Sequence, residues 1–526
     1  MPIVTQGSLN TTALVVPDLY VQIVPPQNLV LNGVPTDIIG VVGTATWGPV
    51  NQPAIVGTMA DYVATFGQLQ PRQYDMGTQV ATAIQQGAQN FRCVRVTDGT
   101  DTAAQLGLFY TGTNGPLVLT ALYTGSFGNQ ITGSIMPGSQ AGTWQITFSL
   151  PGFTPEVFNN IGGTGATFWQ NLVNAINLGQ GSLRGPSQLV VASLGNTLTV
   201  TPTSEAFAFS YGTPGSDGAS NVTSTTLIGH STTPRTGMYA LGGQGCSIAV
   251  LADSVDQTQW TTQAAFGLSE GIYMILTGPQ GDTITNAVAT IQSVGLDSYS
   301  AKLMFGDWIW WNDQTNNLLR LVSPQGFVAG RLANLSPEQS SLNKPLYGVV
   351  GSQRSGAPGA PLANTYSTAD LEALFTAGID VIANPQPAGN FWGVRAGHNT
   401  STNPANDGDN YTRLTNYLAA TLAAGMGQFV GAPINAALFS QIRATLLSFL
   451  QAMLGQSMLG ATASGNAPFQ VVCDTSNNPA ARTALGYVQA DVQVQYMAIN
   501  EKFIVNVDGG QTVTIQNQTL PSGQIA

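Results

Sequence analysis

At 526 residues the chain exceeds what one hydrophobic core supports, and a rate of roughly 150 residues per domain predicts about three domains. Charged residues make up 8% of it, against about 25% in a typical soluble domain, while 43% is hydrophobic and 61 residues are glycine. With 15 basic and 26 acidic residues and a net charge of -11, it has no cationic footprint for a nucleic-acid backbone, which argues against direct nucleic-acid binding.

Thr, Ser, Asn, Gln and Gly replace charge at the surface, and such a surface tolerates close packing of like copies. No apolar run approaches the roughly 20 residues of a bilayer span, and the opening MPIVTQGSLN lacks a basic secretory n-region. The expectation is a cytosolically made chain with no membrane insertion. Cys93, Cys246 and Cys473 are far apart with no second ligand at metal spacing, so they read as buried apolar residues.

In chain order, residues 1–30 hold Pro2, Pro17, Pro25 and Pro26 around an extended β-branched stretch, Leu19–Val24, which reads as an arm without a local partner strand. Strands are predicted at 38–43, 54–56 and 91–96, with helices at 59–66 and 77–86, giving an α/β layer. Residues 101–235 turn to short Thr-rich strands such as 143–148 and 196–200, with one helix near 168–177; this is a mainly β insertion. The α/β rhythm returns with strands at 247–251 and 272–276 around a helix. Residues 356–361 and 398–409 read as loops or linkers. Helices at 412–424 and 435–454 follow from apolar spacings of three and four, and the chain closes in strand-like alternation at 492–496, 503–507 and 512–515.

The predicted fold class is therefore α/β (α+β) multidomain. It comprises an N-terminal arm (1–30), a split α/β domain (31–100 and 236–360), the β insertion (101–235), a C-terminal domain (361–508) and a C-terminal arm (509–526).

Several chemistries lack their residues. None of Lys302, Lys344 and Lys502 follows a glycine, so there is no phosphate-binding loop, and Gly40–Gly43 and Gly242–Gly245 do not match a dinucleotide fingerprint. Gly267-Leu268-Ser269-Glu270-Gly271 fits the nucleophile-elbow pattern, but a helix precedes Ser269 and a strand follows it, the reverse of the required order. His230 and His398 lie in polar loops, and Asn406–Asp409 lacks the periodicity of a calcium loop. No catalytic, cofactor or metal residue is assigned.

Four ordered blocks resemble the contractile tail sheath proteins. They are Gly33–Gly67 (GVPTDIIGVVGTATWGPVNQPAIVGTMADYVATFG), Ala121–Asn129 (ALYTGSFGN), and Asp307–Pro345 with Val322-Ser323-Pro324-Gln325-Gly326-Phe327-Val328-Ala329-Gly330, similar to a sheath Pro-x-Gly-x-x-Ala-Gly turn. The fourth covers about 368–515 and includes Phe391-Trp392-Gly393-Val394-Arg395 and Val471-Val472-Cys473-Asp474. The chain departs from relatives after Gly397, where several arginines are usual and only Arg413 stands here.

The resemblance implies a non-enzymatic structural subunit that forms a homo-oligomeric helical stack of hexameric rings around a tail tube protein, with baseplate and tail terminator partners. Such a sheath assembles metastably in the host cytoplasm, belongs to the virion of a bacteriophage or to a headless particle, and contracts to drive the tube through the host envelope for genome ejection and host cell entry. It also implies terminal arms that link subunits. These are placed at Leu19, Val21 and Ile23 and at Phe503, Val505, Val507, Val513 and Ile515, because unpaired strand edges can complete a neighbour's sheet. A capsid, fibre or surface-layer protein would share the composition, and an enzyme could use the Trp308–Trp311 cluster.

Overall fold

A computed structural model describes residues 3–6, 20–23, 31–109, 115–362, 364–460, 465–505 and 507. The architecture is α/β multidomain. Its centre is a seven-stranded sheet running, edge to edge, Ile379–Asp380, Ala301–Met304, Tyr273–Thr277, Ile248–Leu251, Ile39–Gly43, Phe91–Arg95 and Pro53–Val56. Neighbours are parallel except the last pair. Parallel strands covered on both faces need continuous apolar runs, and IGVVG, IAVL and YMILT are such runs, buried at every position.

Alternation along these strands sends successive side chains to two different cores. Val41, Ile248, Val250 and Ile275 meet Val80, Phe327 and Leu332 from the helices Met76–Gln85 and Gln325–Ala333. Val42, Ala249, Leu251 and Leu276 meet Ala264, Phe266 and Ile291 from the helices Trp260–Glu270 and Ile284–Val294. The Pro-x-Gly-x-x-Ala-Gly block, expected as a turn, is thus a buried helix. Its glycines serve contact: a Cβ on Gly330 would lie 2.5 Å from the Ala83 main chain, and one on Gly326 would lie 2.1 Å from Thr82 Oγ1.

The insertion packs a four-stranded antiparallel sheet (Glu156–Ile161, Trp144–Ser149, Thr132–Pro137, Glu205–Ala208), a three-stranded one (Val190–Leu194, Leu117–Ala121, Gln105–Leu108) and the helix Gly165–Leu178 around a third core. Residues 196–200, expected as a strand, form a turn, and the strand lies just before them at Val190–Leu194. Val222, Leu227 and Ile228 pack in the seven-stranded sheet's core and not in the insertion's, so the core boundary falls before 235. Similarly, Thr368–Thr376 and Ile379–Asp380 belong to the sheet although they lie beyond 360.

Residues 356–361, expected as a linker, make a tight hairpin at the edge of a five-stranded sheet (Leu318–Val322, Ile309–Asp313, Val349–Ser352, Gly356–Ala357, Ala360–Pro361), with positive φ at Gly356 and Gly359. The C-terminal unit packs Leu414 and Leu418 of Asp409–Met426 against Phe439, Ile442, Leu446, Phe449 and Met453 of Ala436–Gly455, beneath the antiparallel strands Phe469–Val472 and Asp491–Val494. Among the described residues, Ala436–Gly455 alone has the length and mean hydropathy (1.3) of a bilayer span, which amends the expectation that no segment approaches one. Its large apolar side chains are committed to this core.

Candidate assembly interface

Among the described residues, a cluster with the look of a catalytic site is closed to solvent. Lys302 Nζ lies 2.7 Å from Asp380 Oδ2, 3.1 Å from Asp409 Oδ1 and 2.9 Å from the His398 carbonyl, with all three ionisable side chains buried. Asp409 also accepts from Tyr273 Oη at 2.7 Å and from the Ser341 hydroxyl, and Asp380 accepts from the amides of Val381, Ala396 and Gly397. Burial pushes the Lys302 ammonium down, and the two carboxylates more than offset it, leaving its pKa above the ordinary value. Burial likewise pushes Asp409 up, but Lys302, Ser341 and Tyr273 overcome this and hold it below the carboxylate range. A saturated buried network is a joint: it pins the start of Asp409–Met426 to the sheet strand Ala301–Met304.

Arg413 completes that joint one turn later. Its guanidinium donates to the carbonyls of Ser336 at 3.0 Å, Leu335 at 2.8 Å and Thr36 at 3.4 Å, and burial lowers its pKa to about 10. The single arginine after Gly397 at this helix start is therefore internal. Ser269 ends the helix Trp260–Glu270, its hydroxyl donating to the Phe266 carbonyl, with the strand Tyr273–Thr277 following.

The predicted linking residues fall into three groups. Val21 and Ile23 lie in Tyr20–Ile23, which pairs in parallel with Ile3–Gln6. The expectation that this stretch has no local partner is corrected: Ile3–Gln6 is that partner, and each strand keeps one unpaired edge among the described residues. Leu19, Val513 and Ile515 lie outside the described residues. Phe503, Val505 and Val507 do not form the expected strand, and residues 498–505 make no backbone hydrogen bond among the described residues. Phe503, Ile504, Val505 and Val507 are 82, 80, 63 and 85% exposed. A run of large apolar side chains in water has unfavourable hydration that a partner surface would remove.

Two further features were not read from the sequence. The strands Phe469–Val472 and Asp491–Val494 form a sheet of two, each with one open edge among the described residues, and their inner face is seated on Ala436–Gly455. Only the second of these strands was anticipated, since FQVV is too short to show a period. The other feature joins the first two sequence blocks. The amide of Phe127 donates to the Thr46 carbonyl at 3.1 Å, Trp47 meets the rings of Tyr123 and Phe127, and a Cβ on Gly125 would lie 2.0 Å from Thr46 O. The Gly-x-aromatic-Gly-Asn turn is thus the seat of the insertion on the sheet unit.

No family model matches the sequence, and no curated protein matches it. Among solved structures, a sheath tail protein from Desulfitobacterium hafniense is 15% identical with a TM-score of 0.57, over 87% of this chain and 94% of that one. A sheath tail protein from Listeria innocua is 13% identical with a TM-score of 0.58, over 85% and 90%. The sheath complex of an extracellular contractile injection system, in the contracted state, is 11% identical with a TM-score of 0.53, over 95% and 98%.

Proposed function

We propose that this chain, which has the fold of contractile tail sheath proteins, is the sheath subunit of a contractile tail or injection particle. It polymerises as stacked hexameric rings around a tail tube, meets a baseplate at one end and a terminator at the other, and works mechanically without catalysis. In a phage, contraction drives the tube through the host envelope for genome ejection. The observation that carries the reading is the exposed apolar segment Phe503–Val507 on a subunit of this fold.

Linkage follows from strand pairing. An extended segment needs an open edge for its amides and carbonyls, each of which costs on the order of 1–3 kcal/mol when buried unpaired. The pair Phe469–Val472 and Asp491–Val494 offers such edges on a rigid support, so the C-terminal arm, with Phe503, Val505, Val507, Val513 and Ile515, adds as a strand to a neighbouring copy. The N-terminal segment, with Leu19, Val21 and Ile23, contributes the second arm. Main-chain links of this kind let subunit bodies rotate without losing their neighbours, and the energy of contraction lies in the difference between two packings.

Deleting residues 509–526 tests the linkage. The truncated chain is expected to keep its circular dichroism spectrum and to stop sedimenting as tubes. Tubes formed as by the full chain would place the link elsewhere, and an unfolded product would assign these residues to the subunit's own core.

A further inference from the structure

After Tyr496, which still pairs with Leu459, the chain leaves the C-terminal unit and runs as a strap along the joint, facing residues 338–344 and 395–398 across an open groove of about 910 Å³. Among the described residues, 498–503 make no backbone hydrogen bond, and side-chain contacts hold the strap. Asn410 Nδ2 donates to the Met497 carbonyl at 2.9 Å, and His398 Nε2 lies 2.9 Å from Glu501 Oε1. The other ring nitrogen of His398, Nδ1, faces Asp407 Oδ2 at 3.9 Å. The histidine itself is mounted rigidly: its amide donates to Asp380 Oδ2 and its carbonyl accepts from Lys302.

We propose that His398 is a protonation-dependent clamp on the root of the C-terminal arm, holding the strap to its own subunit more firmly when charged than when neutral. This rests on the reading of residues 503 onward as a linking arm. An imidazolium donates from Nε2 to Glu501, and its charge attracts Asp407 at 3.9 Å. A neutral imidazole loses the charge that attracts both carboxylates and keeps only a neutral donor for Glu501, so the contact weakens. The charged groups around the strap are Asp407, Glu501, Glu338, Lys344, Arg395 and Lys502, with Lys302 and Asp380 behind the main chain. Histidine is the side chain among these types that ordinarily changes charge between pH 5 and 8. Protonation of the ring therefore tightens the clamp and its loss loosens it.

The test uses the full-length chain with Val505→Cys labelled by a maleimide fluorophore; Val505 is exposed, whereas the three native cysteines are buried. Tubes are removed by centrifugation before time-resolved anisotropy is recorded. The amplitude of fast depolarisation should rise about two- to fivefold from pH 5.5 to 8, the scale of one exposed ion pair. His398→Ala and Glu501→Gln should each abolish that rise; the second lies on the exposed strap, outside every core. Probe mobility independent of pH, or an undiminished response in either variant, overturns the clamp. Sedimentation of the same samples scores tube formation separately, so a failed arm reading is distinguishable from a failed clamp.

Discussion

Lys302 is fully buried between two carboxylates, and the arrangement holds only while all three charges are present. Lys302→Met should leave Asp380 and Asp409 uncompensated and cost about 3–5 kcal/mol in urea denaturation. The triad's own pH response lies outside the neutral range. The pKa of Asp409 is held below the ordinary value, so its contribution is present above pH ~4 and is lost only as pH falls further. That of Lys302 is raised, so its contribution is lost only above the ordinary lysine range. Asp75 and Asp253 behave oppositely, since burial pushes each up to about 6. The folded state then binds the proton more tightly than the unfolded state, so stability rises as pH falls from 7 towards 4. Asp253→Asn should remove its share of that slope, leaving that of Asp75, and gain on the order of 3 kcal/mol at pH 8 relative to its effect at pH 4, from paired denaturation curves. Neither the triad nor the acidic pair was legible in the sequence. Residues 302, 380 and 409 come from three distant segments, and nothing local marks a lysine as buried.

At the scale of elements, the insertion is attached by a narrow neck. Thr102 and Ser216 exchange both backbone hydrogen bonds, at 3.1 and 3.0 Å, so the chain enters and leaves at one point. Excising residues 103–215 with a short Gly/Ser bridge, together with Trp47→Ser to avoid exposing a side chain now 1% accessible, should give a folded chain that still sediments as tubes. A soluble, folded, non-polymerising product would mean that the insertion makes subunit contacts. Excision to residue 235 should instead destabilise the subunit, because Leu227 and Ile228 fill the sheet's core. Helices and central strands were legible because their periods are long and their runs apolar: Met59–Phe66 and Ala436–Gly455 lie within a residue of expectation. Misreadings fell where glycine and proline carry two meanings. At Gln325–Ala333 the glycines allow helices to touch, and at Gly356–Pro361 they close a hairpin that resembles a linker in one dimension. In the candidate interface, the alternation at 503–507 was legible but the absence of an internal partner was not, because pairing depends on what stands beside the segment. The pairing of Tyr20–Ile23 with Ile3–Gln6 escaped notice for the same reason.

For the whole molecule, low charge, three packed cores around one long sheet and its insertion, a C-terminal helical core and exposed apolar side chains at 503–505 and 507 suit the proposed subunit, one completed by copies of itself. Sequence blocks spread across the chain carried the family likeness, and the overall arrangement follows it, because turn glycines and buried runs constrain a fold even where side chains drift. In the proposed function, these copies form a sheath through exchanged arms, with no nucleotide or metal required. The measurement is helical reconstruction by electron cryo-microscopy of the full-length chain, purified in chelator without nucleotide. The account predicts tubes of stacked six-subunit rings in which residues 503–515 leave their own subunit and pair as a strand with a neighbour. Discrete particles, flat arrays, or tubes whose residues 503–515 fold back on their own subunit would contradict it.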